Sequence, residues 1–208
     1  MCRQPFSLDT PKGKFSVPCG KCYPCKANRK QQWQFRLHQE QKHANSSAFI
    51  TLTYNDENLP LKNGISHLFK KDLQLFIKTL RDNHVTYNMQ KYGYKTKKET
   101  RKNTKGLRYF ACGEYGETTN RPHYHLLLFN LDYCNHIALS KSWTKGSIHI
   151  GDVNNETIAY TAKYIMKPQN EIHKEHPQFN TMSLKPFIGH QYMANKKYHV
   201  ENKEILCK

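Results

Sequence analysis

His123 and His125 stand two residues apart in Arg121-Pro122-His123-Tyr124-His125, at the mouth of the apolar run Leu126–Phe129. On a β-strand an i, i+2 pair points both rings to one face. Two imidazoles so placed can pack against neighbours, or they can ligate one metal ion. A third ligand comes within reach if the preceding segment is the partner strand. Gly106–Gly113 is strand-like, Glu114 closes it, and a turn-rich stretch follows. A hairpin across that stretch sets Glu114 opposite His123, with Cβ atoms about 5 Å apart. Two imidazoles and one carboxylate, with positions left for water and substrate, suit Mg²⁺, Mn²⁺ or Zn²⁺. Structural histidines explain the pair alone, so both readings stay open on spacing.

A second set of reactive side chains lies downstream. Tyr160, Lys163, Tyr164 and Lys167 fall at i, i+3, i+4 and i+7, one stripe of a helix. Ile158, Ala162 and Ile165 form a different stripe that can face a core, so packing does not require the tyrosines and lysines. A phenol can attack a phosphodiester, but with a free pKa of about 10 it needs a nearby cation. Lys163 and Lys167 place positive charge on the same stripe. The alternative is an exposed polar face with the tyrosine rings tucked against neighbours.

Near the N-terminus, Cys19, Cys22 and Cys25 have the spacing of metal ligands. They are candidates for a structural Zn²⁺ site, which takes four ligands when closed. Cys2, Cys112, Cys134 or a histidine is available as the fourth, and plain thiols are the alternative. An iron–sulfur cluster lacks a fourth cysteine at a usual spacing. Lys26, Arg29, Lys30 and Arg36 follow beside Trp33, either as a DNA-contacting helix face or as a solvated basic one. The Lys95–Lys105 stretch reads as a mobile phosphate-binding loop.

Composition narrows the partner. The 208 residues carry 33 Lys+Arg against 16 Asp+Glu, a formal charge of +17. That imbalance points to a polyanion, usually nucleic acid. Thirteen Tyr and ten Phe supply surfaces on which bases stack. No apolar run approaches 18 residues, which argues against a membrane span. The start, Met1–Thr10, lacks the apolar centre of a signal peptide. A cytoplasm is the expected compartment, with the seven cysteines reduced or metal-bound.

The elements that must position these groups follow from periodicity and punctuation. Residues 1–22 read as irregular, 24–43 as a helix, 47–54 as a strand and 55–64 as a loop. Leu68, Phe69, Leu73, Phe76, Ile77 and Leu80 predict a helix over 67–82. Strands 106–113 and 122–129 form the central hairpin. A short helix near 134–142, a strand near 147–150 and a helix over 156–167, ended by Pro168, complete the core. The tail after 170 is polar and unassigned. Mixed strands and helices without βαβ regularity predict an α+β fold, a central antiparallel sheet with helices on one face. The expected division is a Cys-rich segment and basic helix (1–45), a catalytic core (46–170) and a polar tail (171–208).

These motifs, in this order, resemble the rolling-circle replication initiators of small single-stranded DNA phages, of the microvirus and gokushovirus type, in the HUH endonuclease superfamily. Pro122–Phe129 matches the His-hydrophobe-His motif, with Tyr124 as the bulky middle residue. Phe49–Tyr54 resembles the opening strand, and Tyr160–Tyr164 matches Tyr-x-x-Lys-Tyr. Cys112–Glu117 resembles the segment that carries the acidic metal ligand, and Val17–Trp33 is similar to the N-terminal region of gokushovirus-like initiators. The resemblance implies a ferredoxin- or RRM-like sheet with the nucleophile helix crossing over the metal face. It implies Mg²⁺ or Mn²⁺ on Glu114, His123 and His125. It also implies in-line attack by Tyr160 or Tyr164, assisted by Lys163, on single-stranded origin DNA, giving a 5′-phosphotyrosine and a free 3′-OH. Host helicase and polymerase would then be partners in the host cytoplasm, since no Gly-x₄-Gly-Lys-Ser/Thr loop occurs. An HUH transposase or relaxase is the neighbouring alternative, and a non-catalytic, zinc-stabilised nucleic-acid binder is the distant one.

Overall fold

The computed structural model describes residues 1–131, 136–166 and 173–194. The N-terminal stretch expected to be irregular forms a small hairpin, β1 (Phe6–Thr10) and β2 (Gly13–Val17), whose residues are exposed apart from Val17. Helix α1 (Tyr23–His43) follows. Pro24 sits in its first turn, where no amide partner is needed, and Lys42 and His43 lie in its last turn, facing the negative end of the dipole. Strand β3 (Ser47–Thr53) is the β-branched run. A minimal hairpin, β4 (Leu61–Lys62) and β5 (Ile65–Ser66), turns at Asn63-Gly64, both at positive φ.

Helix α2 (Lys70–Tyr92) runs well past the expected end at residue 82. Its second half buries His84 and Asn88, hydrogen-bonded to each other at 3.1 Å, so polar rather than apolar side chains carry the helical period there. It stops at Gly93, which adopts φ 70° as a left-handed cap. The basic stretch read as a loop contains helix α3 (Lys97–Asn103). Thr96 caps it by accepting from the Glu99 amide at 3.1 Å, and Thr100 is fully buried. Strands β6 (Arg108–Tyr115) and β7 (Pro122–Phe129) form the expected hairpin. Then come α4 (His136–Ser142), β8 (Ile148–Gly151), α5 (Asn155–Lys163), β9 (Phe179–Met182) and α6 (His190–Ala194).

The sheet order is β8-β3-β7-β6-β9, every pair antiparallel. The period of two sorts its side chains. Tyr124, Leu126 and Leu128 join Ile50, Leu52 and Ala111 against Leu73, Phe76, Ile77 and Leu80 of α2 and Ala138 and Leu139 of α4. Leu127, Phe129 and Phe110 face the other way, against Leu37 of α1, Ile158 of α5 and Ile188. The protein is α+β with a central antiparallel sheet flanked by helices. Helices α2 and α4 cover one face as expected, and α1 and α5 cover the apolar end of the other. Strand β9 comes from the stretch the sequence left unassigned.

The segment after β9 is locked to α1 by a buried ion pair. Glu40 pairs with Arg108 and accepts from the Gly189 amide at 2.7 Å, while Arg108 donates to the Phe187 carbonyl at 3.0 Å. Gly189 sits at φ 77°, and a Cβ there would stand 2.9 Å from the Arg36 carbonyl, so glycine is required. Among the described residues no helix is long and apolar enough to cross a membrane.

Candidate active site

The register of β6 and β7 sets Glu114 opposite His123 and Cys112 opposite His125. Both histidines and the carboxylate therefore emerge on the face away from α2. Strand β7 is held there by its middle residue. Tyr124 points the other way, fully buried, its Oη accepting from the Phe69 amide at 3.1 Å and lying 2.8 Å from Tyr54 Oη. Tyr54 in turn donates to Asp72 Oδ2 at 2.9 Å. Pinning Tyr124 from behind fixes where the rings of its two neighbours stand.

His123 Nε2 lies 3.1 Å from Glu114 Oε1, and His125 Nε2 lies 3.6 Å from Glu114 Oε2. One ligand atom from each side chain can be chosen so that all lie within 4.8 Å of one another. The tautomers follow from the outer partners. His123 Nδ1 lies 3.1 Å from the Arg121 carbonyl, which can only accept, so Nδ1 carries the proton and Nε2 is the ligand atom. His125 Nδ1 lies 3.0 Å from Thr51 Oγ1, on the strand paired with it, and its ring stacks on Phe49. Such partners orient metal-binding imidazoles.

Electrostatics favour the ligating forms. Burial depresses the His125 pKa to about 4, reinforced by His123, so the ring is neutral. Burial would raise the Glu114 carboxyl, but the hydrogen bond from His123, with Tyr164 and the histidine charges, outweighs it and lowers the pKa. Glu114 is ionised and almost fully buried, and its Oε2 has no hydrogen-bond partner. A buried carboxylate oxygen left open beside two neutral imidazoles fits a divalent cation.

Helix α5 lies over this set. Asn154 and Thr157 form a capping box at its start, and Ile158 and Ala162 are fully buried beneath it. That anchoring turns the tyrosine stripe to the histidines, as the stripe separation predicts. Tyr160 Oη lies 3.4 Å from His125 Nε2, and the Tyr160 and Tyr164 ring centroids are 5.4 Å apart. Lys163 Nζ sits 4.0 Å from the Tyr160 ring centroid and 5.1 Å from that of Tyr164. Burial raises both phenol pKa values. For Tyr164 the neighbouring Glu114 adds to the rise. Neither phenol ionises at neutral pH without a cation beside it.

Six of the side chains singled out from sequence, Glu114, His123, His125, Tyr160, Lys163 and Tyr164, thus meet at one place. Cys19, Cys22 and Cys25 form a separate cluster, joined by Cys2. Lys26, Arg29 and Lys30 lie along the first turns of α1. Arg36 is committed to the fold: its guanidinium stacks 4.0 Å above Trp33 and donates to the Ile188 carbonyl at 3.0 Å, and burial lowers its pKa. It is therefore a packing residue rather than open DNA-contacting surface. Lys167 lies outside the described residues. Sequence reasoning missed Thr51 as the partner of His125. Its signal was the period of two in Phe49–Tyr54, which puts Phe49, Thr51 and Thr53 on the histidine face.

The family model of the replication-associated protein ORF2 matches residues 47–169, the stretch that holds every member of this site. The chain belongs to that family. Relatives in small phages agree. The replication-associated protein VP4 of Bdellovibrio phage phiMH2K is 33% identical over 204 residues, 89% of this chain and 59% of its own length. The replication-associated protein ORF2 of Spiroplasma virus 4 is 30% identical over 210 residues, 93% of this chain and 60% of its own. The replication-associated protein ORF4 of Chlamydia phage 1 is 24% identical over 172 residues, 74% of this chain and 38% of its own. The chain spans about 60% of the length of the first two. No solved structure matches it. The resemblance to phage replication initiators therefore holds at the level of the family, and the family match covers β3 to α5.

Proposed function

We propose that this replication-associated protein nicks single-stranded DNA at a replication origin by tyrosine attack, and rejoins strands in rolling-circle replication. The observation that carries the reading is the stacking of two phenols over one carboxylate–imidazole set, with Tyr160 Oη 3.4 Å from His125 Nε2. Glu114, His123 and His125 would hold Mg²⁺ or Mn²⁺. When bound there, the cation polarises the scissile phosphate and offsets the charge that develops on it. The phenol oxygen forms the new P–O bond, the P–O3′ bond breaks, and the 3′ oxygen leaves as a hydroxyl, free to prime synthesis. Lys163, between the two rings, neutralises the phosphate as it is transferred. The net charge of +17, with Lys26, Arg29 and Lys30 on α1, supports binding of the single strand, and host helicase and polymerase complete the proposed partners.

Two phenols serve two tasks. The first nicks; the second cuts the regenerated origin while the first remains attached, and the freed 3′-OH then closes the circle. The test is a labelled origin oligonucleotide with Mn²⁺. Wild-type protein should form a covalent adduct. Glu114→Ala, His123→Ala and His125→Ala should lose it while still binding the strand, and chelation should mimic them. Tyr160→Phe and Tyr164→Phe should each keep some nicking but lose circle release, and the double variant should lose attachment. Adducts on one tyrosine alone, with circles still made when the other is Phe, would establish a single-tyrosine mechanism instead. Normal cleavage by Glu114→Ala would remove the proposed ligand set.

A further inference from the structure

A second constellation stands apart from the nicking centre and is independent of it. Cys2, Cys19, Cys22 and Cys25 bring four Sγ atoms within 4.8 Å of one another. Cys19 Sγ lies 4.0 Å from Cys25 Sγ, and Cys22 Sγ lies 3.9 Å from Cys2 Sγ. Disulfide sulfurs would be about 2.05 Å apart. A tetrahedral ion with metal–sulfur bonds of about 2.3 Å has an S···S edge of about 3.8 Å. These separations are those of ligands around an ion.

The backbone is built for the same purpose. Gly20, at φ 72°, turns Cys19-Gly20-Lys21-Cys22 back on itself, so that the Cys22 amide donates to Cys19 Sγ at 3.4 Å. The Cys19 amide donates to Cys2 Sγ at 3.2 Å. Amide donors aimed at sulfur favour thiolate. Cys25 lies in the first turn of α1, a 21-residue helix whose positive end faces the sulfurs. Lys21, Lys26 and Arg29 stand near enough in sequence to offset the net negative charge of four thiolates around a divalent ion. A Cβ on Gly20 would lie 3.3 Å from Arg29 Nη2.

We propose that these four cysteines form a closed structural zinc site, with Cys2 as the fourth ligand. Its role follows from where the ligands sit. Cys2 precedes β1, Cys19 follows β2, and Cys22 and Cys25 open α1. The β1–β2 hairpin buries almost nothing, and a two-stranded hairpin is at best marginal alone. Zinc replaces the missing core: it clamps both ends of the hairpin to the helix that carries Lys26 and Lys30. Each thiol gives up its proton on binding.

The test uses the full chain with zinc or cobalt as probe. Purified protein should carry one tightly held zinc, and cobalt exchange should give sulfur-to-cobalt charge transfer with the intense visible bands of a four-sulfur tetrahedron. His123→Ala/His125→Ala should leave those bands unchanged, which separates this site from the nicking centre. Cys2→Ser should weaken retention by about tenfold or more and admit trypsin at Lys12 and Lys14. If that variant does not fold, alkylation of wild-type protein decides: the four cysteines should be protected with zinc and labelled after an organomercurial releases it. Three results would overturn the proposal: free-thiol reactivity of the four in the metal-loaded protein, a disulfide to Cys2, or an unaltered cobalt spectrum in Cys2→Ser.

Discussion

Replacing Thr51 by valine perturbs the nicking centre without touching a proposed ligand, nucleophile or phosphate contact. Thr51 Oγ1 lies 3.0 Å from His125 Nδ1 across paired positions of β3 and β7. With Nδ1–H as donor, the Nε2 lone pair is left facing Glu114 Oε2 at 3.6 Å and Tyr160 Oη at 3.4 Å. Valine keeps the branched shape and the strand preference but cannot accept. The imidazole then loses its fixed tautomer. Outer partners of this kind are worth about 10–100-fold in metal affinity, or about 1.4–2.7 kcal/mol. The buried Nδ1 left without a partner costs about 1–3 kcal/mol in the metal-free protein. Calorimetric titration with Mn²⁺ should therefore show a Kd about 10–100-fold higher, with Tm lower by several degrees. Nicking should fall at limiting Mn²⁺ and return towards the wild-type rate at saturation. Thr51→Ser, which keeps the acceptor, should bind Mn²⁺ like wild type. A valine variant with wild-type Mn²⁺ affinity, or a serine variant as weak as valine, would refute the idea that this hydroxyl sets the ring.

Glu40→Ala leaves Arg108 buried without its carboxylate and the Gly189 amide without an acceptor; urea denaturation should show a loss of about 3–5 kcal/mol, and a loss under 1 kcal/mol would show that the clamp does not hold the C-terminal segment. Binding to single-stranded DNA should weaken steeply with salt, with a log–log slope of about −0.7 per phosphate contacted. Lys26→Ala/Lys30→Ala should flatten that slope by about 1.4, whereas Arg36→Ala should act on stability; an unchanged slope would remove α1 from the binding face. The depressed pKa of His125 sets a pH dependence in the metal-free protein. The folded state holds this ring neutral between the unfolded value of about 6.5 and about 4, while the unfolded chain takes up the proton. Stability should thus be full above that window and fall by about 3 kcal/mol as pH drops through it. His125→Gln should remove this component, and equally steep acid loss in that variant would assign it to other groups.

Local pattern was enough for part of this architecture. The Glu114–His123 pairing is readable because a hairpin with a short turn has few registers, and the alternation along Pro122–Phe129 fixes which face is apolar. The stripe of Tyr160, Lys163 and Tyr164 is readable because Ile158, Ala162 and Ile165 claim a different side of the helix. What stayed hidden depends on distant partners or polar burial. Thr51 meets His125 across 74 residues, and only the pairing of β3 with β7 aligns them. Cys2 reaches Cys19 around a hairpin whose Pro5, Pro11 and Gly13 read as irregular chain. Helix α3 is almost free of apolar residues, so its Thr96-x-x-Glu99 start was its one legible signal. Strand β9, Phe179–Met182, has four half-buried residues and too little alternation to mark it.

The way α5 is held bears on how two phenols could share one centre. The capping box at Asn154 and Thr157 fixes the helix start, and Ile158, Thr161 and Ala162 fix its underside. Sliding the whole helix would break that cap and lift three buried side chains. Tyr160 therefore stands on backbone that is held on both counts. Tyr164 is different: it is the C-terminal cap, and the chain closes there through Ile165 N to Ala162 O at 3.2 Å and Met166 N to Lys163 O at 2.9 Å. Such tightened last turns are where helices open first. On the proposed reading, exchange between the two nucleophiles runs through side-chain rotation at Tyr160 and rearrangement of the last turn at Tyr164, with Lys163 between them following the phosphate. The asymmetry has a direct consequence for the single variants. Tyr160→Phe leaves the phenol on the looser backbone, and Tyr164→Phe leaves the one already 3.4 Å from His125 Nε2. The first cut should therefore be faster in Tyr164→Phe than in Tyr160→Phe.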